Sequence, residues 1–194
     1  MRDGQATRRR IHDAALELFV SQGVTETSVR DLAQKAGIAE GTLYRHYASK
    51  DDLVADLFAS NYAAFARRLT ELDRPAQPLR QRLSAVVTEI FDFHDAQPTL
   101  FRFLLLVQHQ ALPRMVDGQD NPVTVIRQMI EQGRARGEIP AIDPALATAM
   151  VLGLILQPAT ALVYGALAAP LSSYATAIAT ACWRVLSTTE TENG

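Results

Sequence analysis

The chain has 194 residues, 48% hydrophobic and 21% charged, with a formal net charge of −2 and a single cysteine, Cys182. This composition is ordinary for a soluble protein, a single cysteine excludes an intrachain disulfide, and the length suits a small module joined to a larger one. Residues 1–50 hold eight Lys and Arg against six Asp and Glu, whereas residues 51–194 hold eleven against fifteen, so the N-terminal quarter is the basic end.

Aromatic residues are few and β-branched runs short, so an all-α fold of about nine helices is expected. Ile11, Ala14, Ala15, Leu18 and Phe19 make the first helical stripe, which Gly23 ends. Thr27 and Ser28 precede Val29, Leu32, Ala33 and Ala36, and Ser28 with Asp31 has the spacing of a capping box; Gly37 closes this short helix. The chain resumes with Gly41-Thr42-Leu43-Tyr44-Arg45-His46-Tyr47, where Leu43 and Tyr47, four apart, share the inward face. Ser49 and Asp52 open a fourth helix through Leu53, Leu57, Phe58, Tyr62, Phe65 and Leu69, of about 23 residues and ~35 Å. Pro75-Ala76-Gln77-Pro78 is the clearest break. Further helices run through Leu83–Phe91, Leu100–Gln108 after Pro98, and Val123–Arg136 before Gly137. Pro113–Pro122 reads as a long loop, Asp143-Pro144 as a helix start, and Pro170 as the start of a final helix to about Leu186. The expected organisation is a small helical domain over 1–50, a larger helical domain over 51–188, and a flexible tail over 189–194.

Two short helices about a glycine turn, the second turning polar side chains outward, form the helix-turn-helix unit, here at 28–47, that fits the major groove. Thr42 and Arg45 suit base edges or phosphates, Tyr44 offers a hydroxyl and a ring, and Gly41 permits close backbone approach. Lys50 and the Arg8-Arg9-Arg10 run would add phosphate contacts that carry no sequence information.

Thr27-Ser28-Val29-Arg30-Asp31-Leu32-Ala33, Ala36-Gly37-Ile38, Gly41 to Tyr47 and Lys50-Asp51-Asp52-Leu53 together resemble the signature of the tetracycline-repressor family, over roughly residues 8–57. The resemblance implies a ligand-responsive transcriptional regulator, usually a repressor of palindromic operators, with Thr27, Gly41, Thr42, Tyr44, Arg45, His46 and Lys50 at DNA-contacting positions. One departure concerns Ala39-Glu40, where many relatives have Ser-Lys: Ala39 lacks an N-cap hydroxyl, and Glu40 either faces solvent at the helix N-terminus or accepts from a cytosine amino group. His46 either caps the last carbonyls of its helix or reaches a phosphate. Arg45 is the favoured base reader, because no carboxylate lies at i±4.

From Pro144 to Trp183 there is no Asp, Glu, Lys or Arg, which raises a membrane reading. Gln157-Pro158 in mid-segment, the many Ala and Thr, and the lack of flanking basic clusters favour instead two helices buried on most sides. Ala149, Gly153, Gln157, Ala161 and Gly165 recur every fourth residue, and Ala175, Ile178, Ala179 and Cys182 give the last helix a similar face. The resembled family dimerises through its last two helices, so both faces are assigned to a homodimer seam.

An effector cavity would draw on Phe91, His94, Phe101, Leu104, Gln108, Met129 and Gln157, a mixture suited to a mostly apolar ligand, although core packing alone also accounts for the apolar members. No cofactor, metal site or catalytic constellation is expected: His94 and His109 have no His or Cys partner at i+3 or i+4. A small helical enzyme and a membrane-associated protein are the alternatives. With one cysteine and no apolar signal segment in residues 1–10, a cytoplasmic regulator that leaves the membrane alone is the expectation.

Overall fold

A computed structural model describes residues 2–111 and 121–188, with side chains from residue 4 to residue 108 and from residue 121 onward. Among the described residues are nine α-helices, one 3₁₀ turn and no strand. The helices are α1 (Arg2–Ser21), α2 (Val29–Lys35), α3 (Glu40–His46), α4 (Lys50–Leu72), α5 (Leu79–Ala96), α6 (Pro98–Ala111), α7 (Pro122–Ala135), α8 (Pro144–Val163) and α9 (Ala175–Ser187). Most of the Pro113–Pro122 segment, the 189–194 tail and the side chain of His109 lie outside the described residues.

Local chemistry sets the helix boundaries. Ser28 and Asp31 complete a reciprocal capping box, satisfying two N–H groups at the start of α2. Gly37 then turns the chain at φ +64°, a left-handed conformation that a side chain would resist. Ala39 stands at the N-cap of α3 and supplies no side-chain bond. Ser49 Oγ accepts from the Asp52 N–H at the start of α4. Asn121 and Asp143 cap α7 and α8, each followed by proline at the first turn. Pro170 leads first into the 3₁₀ turn Leu171–Tyr174, and only then does α9 begin.

The helices form two compact units. One unit contains α1–α3, α4 to Asn61, and α6; its core includes Ile11, Ala15, Leu32, Leu43, Leu53 and Phe58, and Phe19 stacks on Phe103 of α6 with centroids 6.1 Å apart. The other contains α4 from Tyr62, α5 and α7–α9, with Leu79, Val87, Phe91, Ile130, Val151 and Cys182 in its core. Compactness thus divides α4 itself, whereas the sequence boundary at residue 50 marks only where α4 starts.

Within the second unit Arg82 is 1% exposed yet charged. Its Nε and Nη2 donate to Asp73 at 2.6 and 2.7 Å, and Nη2 also reaches Gln132 Oε1 at 2.8 Å, so the end of α4 is tied to α5 and α7. A buried guanidinium is tolerable only with such a paired carboxylate. At the far end of α5, Asp95 accepts the N–H groups of Leu171 and Ser172, both at 2.9 Å, and so caps the 3₁₀ turn that leads into α9.

α8 departs from the expectation of burial on most sides. Ala147, Thr148, Val151, Ile155 and Ala159 face the core, whereas Leu146 is 55% and Met150 38% exposed. By length and composition this helix could cross a membrane, yet it runs unbroken through Pro158. The small-residue stripe divides: Ala149, Gly153 and Gln157 are exposed, Ala161 is half-buried, and Gly165 is the φ +73° residue just beyond the end of α8. On α9 most of the face assigned to a dimer seam is packed within the chain itself. Ala175, Ala179 and Cys182 are buried in the chain's own core, where α9 packs on α5, and Ile178 is half-buried. Small side chains favour close helix approach within a chain as readily as between chains, so periodicity alone cannot tell the two apart.

Candidate nucleic-acid interface

α3 is a seven-residue helix too short to persist alone, so packing must hold it. Leu43, fully buried, is its anchor, and Tyr47 at its C-cap is 7% exposed. With those two side chains inward, Gly41, Tyr44, Arg45 and His46 face solvent and Thr42 is half-exposed. Tyr44 is 53% exposed, uncommon for a tyrosine on a well-packed unit. Arg45 Nη2 donates to Thr42 Oγ1 at 3.0 Å, so the two expected base readers sit side by side one turn apart. Such a pair presents a partly ordered guanidinium fork at the exposed face of α3. Glu40 is exposed in the first turn of α3, where its charge suits the helix dipole.

Two expected contacts take other roles. Thr27 is 1% exposed, and its hydroxyl donates to Gly23 O at 2.7 Å and accepts from Gln22 at 3.2 Å. Lys50 Nζ donates to the carbonyls of Val24, Thr25 and Thr27 at 2.7, 3.2 and 2.8 Å. An ammonium has three protons, and all three are taken, so Lys50 staples the turn before α2 to the start of α4. Arg8 is likewise committed, its Nη2 lying 2.6 and 2.7 Å from the two oxygens of Asp56, while Arg9 and Arg10 are exposed.

Arg8 and Asp56 belong to a polar cluster that sequence reasoning missed. Tyr47 Oη donates to Asp56 Oδ2 at 2.8 Å and accepts from Arg8 Nε at 3.1 Å. His12 Nε2 lies 2.7 Å from Tyr47 Oη and 3.0 Å from Asp56 Oδ2. The His12 ring nitrogen thus sits between the carboxylate and the phenol. Burial is the main cause that lowers the His12 pKa, with Asp56 opposing it. Burial, then Asp56, pushes the Tyr47 phenol up to about 12, so it remains a donor at neutral pH. For Asp56, burial acts upward, but hydrogen bonds from Arg8 and Tyr47 and the Arg8 charge outweigh it and hold the carboxyl below its ordinary range. The only local signal was Arg8 and His12 four apart on α1; Asp56 lies more than forty residues away.

The effector candidates do not gather in one unit. Phe101, Leu104 and Gln108 are on α6 in the first, and Phe91, His94, Met129 and Gln157 are in the second. Phe91, His94, Phe101, Leu104 and Met129 are buried and Gln108 is half-buried. Gln157 is exposed on the outward face of α8. An open groove of about 240 Å³ bordered by Leu18, Gln22, Asp31, Gln34 and Lys35 involves none of these candidates.

Comparison with known proteins places this geometry. Residues 11–57, which span α1 to the start of α4, match the description "Bacterial regulatory proteins, tetR family". The chain is 31% identical over 164 residues to the HTH-type transcriptional regulator SrpR of Pseudomonas putida, covering 79% of this chain and 73% of that one. Its fold is similar to that of NalD, the secondary repressor of the MexAB-OprM multidrug efflux pump in Pseudomonas aeruginosa, with a TM-score of 0.75 at 26% identity over 96% of this chain and 98% of that one. It also resembles the fold of FadR from Bacillus subtilis, solved with stearoyl-CoA, with a TM-score of 0.75 at 22% identity over 90% of this chain and 96% of that one. A capped α2, a glycine turn, an α3 with an outward polar face and a relative matched over most of both lengths agree, and the chain belongs to the tetR family of bacterial transcriptional regulators.

Proposed function

We propose that this regulator is a cytoplasmic homodimeric repressor that reads a near-palindromic operator through α3 and leaves it when a small, mostly apolar effector binds. The observation that carries the DNA reading is the division of α3: Thr42, Tyr44, Arg45 and His46 open outward while Leu43 and Tyr47 are buried. Thr42 and Arg45 read base edges, Tyr44 and His46 meet phosphates, and Gly41 lets the backbone approach. One seven-residue helix makes too few base contacts for operator specificity, so two copies on a twofold axis are required. The exposed apolar face of α8, with Leu146, Ala149, Met150 and Gly153, supplies the second copy's contact. Pairing there also accounts for an apolar exposed helix without a membrane.

Effector control is assigned to the second unit, where buried Phe91 and Met129 suit a ligand with a long apolar portion. The stearoyl-CoA bound by FadR, a neighbour in fold, is consistent with that chemistry. Binding of effector and operator must be coupled with equal magnitude in both directions. The reading contains no catalytic step.

The decisive experiment selects bound duplexes from a random pool, then screens small molecules for release of the selected DNA. A palindromic consensus released by an apolar compound is the expected result. Failure to enrich any duplex, or enrichment of an asymmetric site by a monomer, would overturn the reading.

A further inference from the structure

Two polar anchors on the first two turns of α4 grip opposite ends of the helix-turn-helix. Lys50 holds the turn before α2 through three carbonyls. Asp56 holds the far end of α3 through Tyr47 Oη, and it is itself held by Arg8 and His12 of α1. Tyr47 is the C-cap residue of α3, and its N–H closes the last turn on the Leu43 carbonyl at 3.0 Å. Its ring packs with the core while its hydroxyl reaches three partners from two other helices. A phenylalanine there would fill the same space without making any of those bonds.

We propose that Tyr47, held by Asp56, His12 and Arg8, is a positioning residue that locks the recognition helix to α4 and so sets its angle in the groove. The inference rests on the DNA reading above and adds a specific device to it. Tyr47 touches no base; it acts through Thr42 and Arg45, whose placement follows the axis of α3. Displacement of the first turns of α4 would then carry α3 with it. Because a seven-residue helix has no cooperative stability of its own, one hydroxyl at its end governs much of its order.

Tyr47→Phe and Asp56→Asn in the full chain test this by two readouts. The first is hydrogen exchange of the backbone amides of residues 43–47 without DNA, compared with those of α2. The second is affinity for the selected operator and for random duplex, with thermal melting as a check on folding. Tyr47→Phe is expected to speed exchange at 43–47 while leaving α2 and the melting temperature nearly unchanged. It is also expected to weaken operator binding by about threefold to thirtyfold, with random-duplex binding unaltered. Asp56→Asn, which keeps an acceptor for the phenol but loses the Arg8 ion pair, should fall between; if Tyr47→Phe melts the chain, Asp56→Asn decides. Unchanged exchange at 43–47 with unchanged operator affinity overturns the proposal, as does equal weakening on operator and random DNA. If the wild-type chain selects no duplex, the DNA reading fails, and the exchange comparison alone still decides whether Tyr47 locks α3 to α4.

Discussion

Arg45 and Lys50 lie five residues apart and both carry a positive charge, yet their surroundings give them different work. Arg45 is exposed and steadied by Thr42, so its guanidinium is free to turn to a base. Arg45→Ala should cost operator binding about 1–3 kcal/mol and relax specificity at one base position, as read by repeating the duplex selection. Equal weakening on all sequences would assign Arg45 to phosphate instead. Lys50 spends its protons on three carbonyls of the 24–27 turn. Lys50→Met should therefore lower stability in urea by about 1–3 kcal/mol while leaving the salt dependence of DNA binding nearly unchanged. A salt slope reduced by about one with no loss of stability would restore Lys50 to phosphate contact.

Helix ends and their caps decide how the elements join. Asp95 fastens the end of α5 to the 3₁₀ turn before α9, and its His94 neighbour lies 3.0 Å away through Nδ1. Burial raises the Asp95 pKa, but hydrogen bonds from Ser172, His94 and Leu171 outweigh it and bring it to about 2. Its folded pKa is thus below its unfolded one, so the carboxylate stabilises the fold above about pH 4, and that contribution disappears as pH falls toward 2. Asp95→Ala should cost about 1–3 kcal/mol at pH 7 and much less at pH 2.5, because only the charged carboxylate is lost. Denaturant titration of both chains at the two pH values checks this, and an equal difference at both would contradict the assignment.

At the scale of the whole molecule, the exposed face of α8 is the surface assigned to the proposed homodimer. Ala149 and Gly153 leave that face shallow, and a Cβ added at Gly153 would meet no atom within 4 Å beyond its chain neighbours and the backbone of its own helix. Gly153→Arg should therefore leave each chain folded while placing a charge in the seam between copies. Elution is expected to move from about twice the 21.3 kDa chain mass to that of a single chain, with operator binding lost and melting little changed. A variant that remains dimeric would move the interface elsewhere.

Much of this protein was legible because the relevant physics is local. The capping box of Ser28 and Asp31, the left-handed Gly37, the uncapped Ala39, the 23-residue α4 and the inward pair Leu43 and Tyr47 all depend on spacings of four residues or fewer within a helix. Those spacings settle which side chains of α3 face out, and hence the candidate readers. Distant contacts were not legible. Whether Lys50 meets a phosphate or the 24–27 turn, and whether Asp56 is a solvated charge or the anchor of Tyr47, depend on where α4 passes the 24–27 turn and α3. The faces of α8 and α9 make the same point: similar stripes of small residues turned outward on one helix and inward on the other. The sequence by itself determined the helices and their polar and apolar faces, because backbone caps and side-chain periodicity act within a turn. Only the tertiary structure decided which small-residue face is buried and which charges are spent inside the fold, because those depend on partners brought together from tens of residues away.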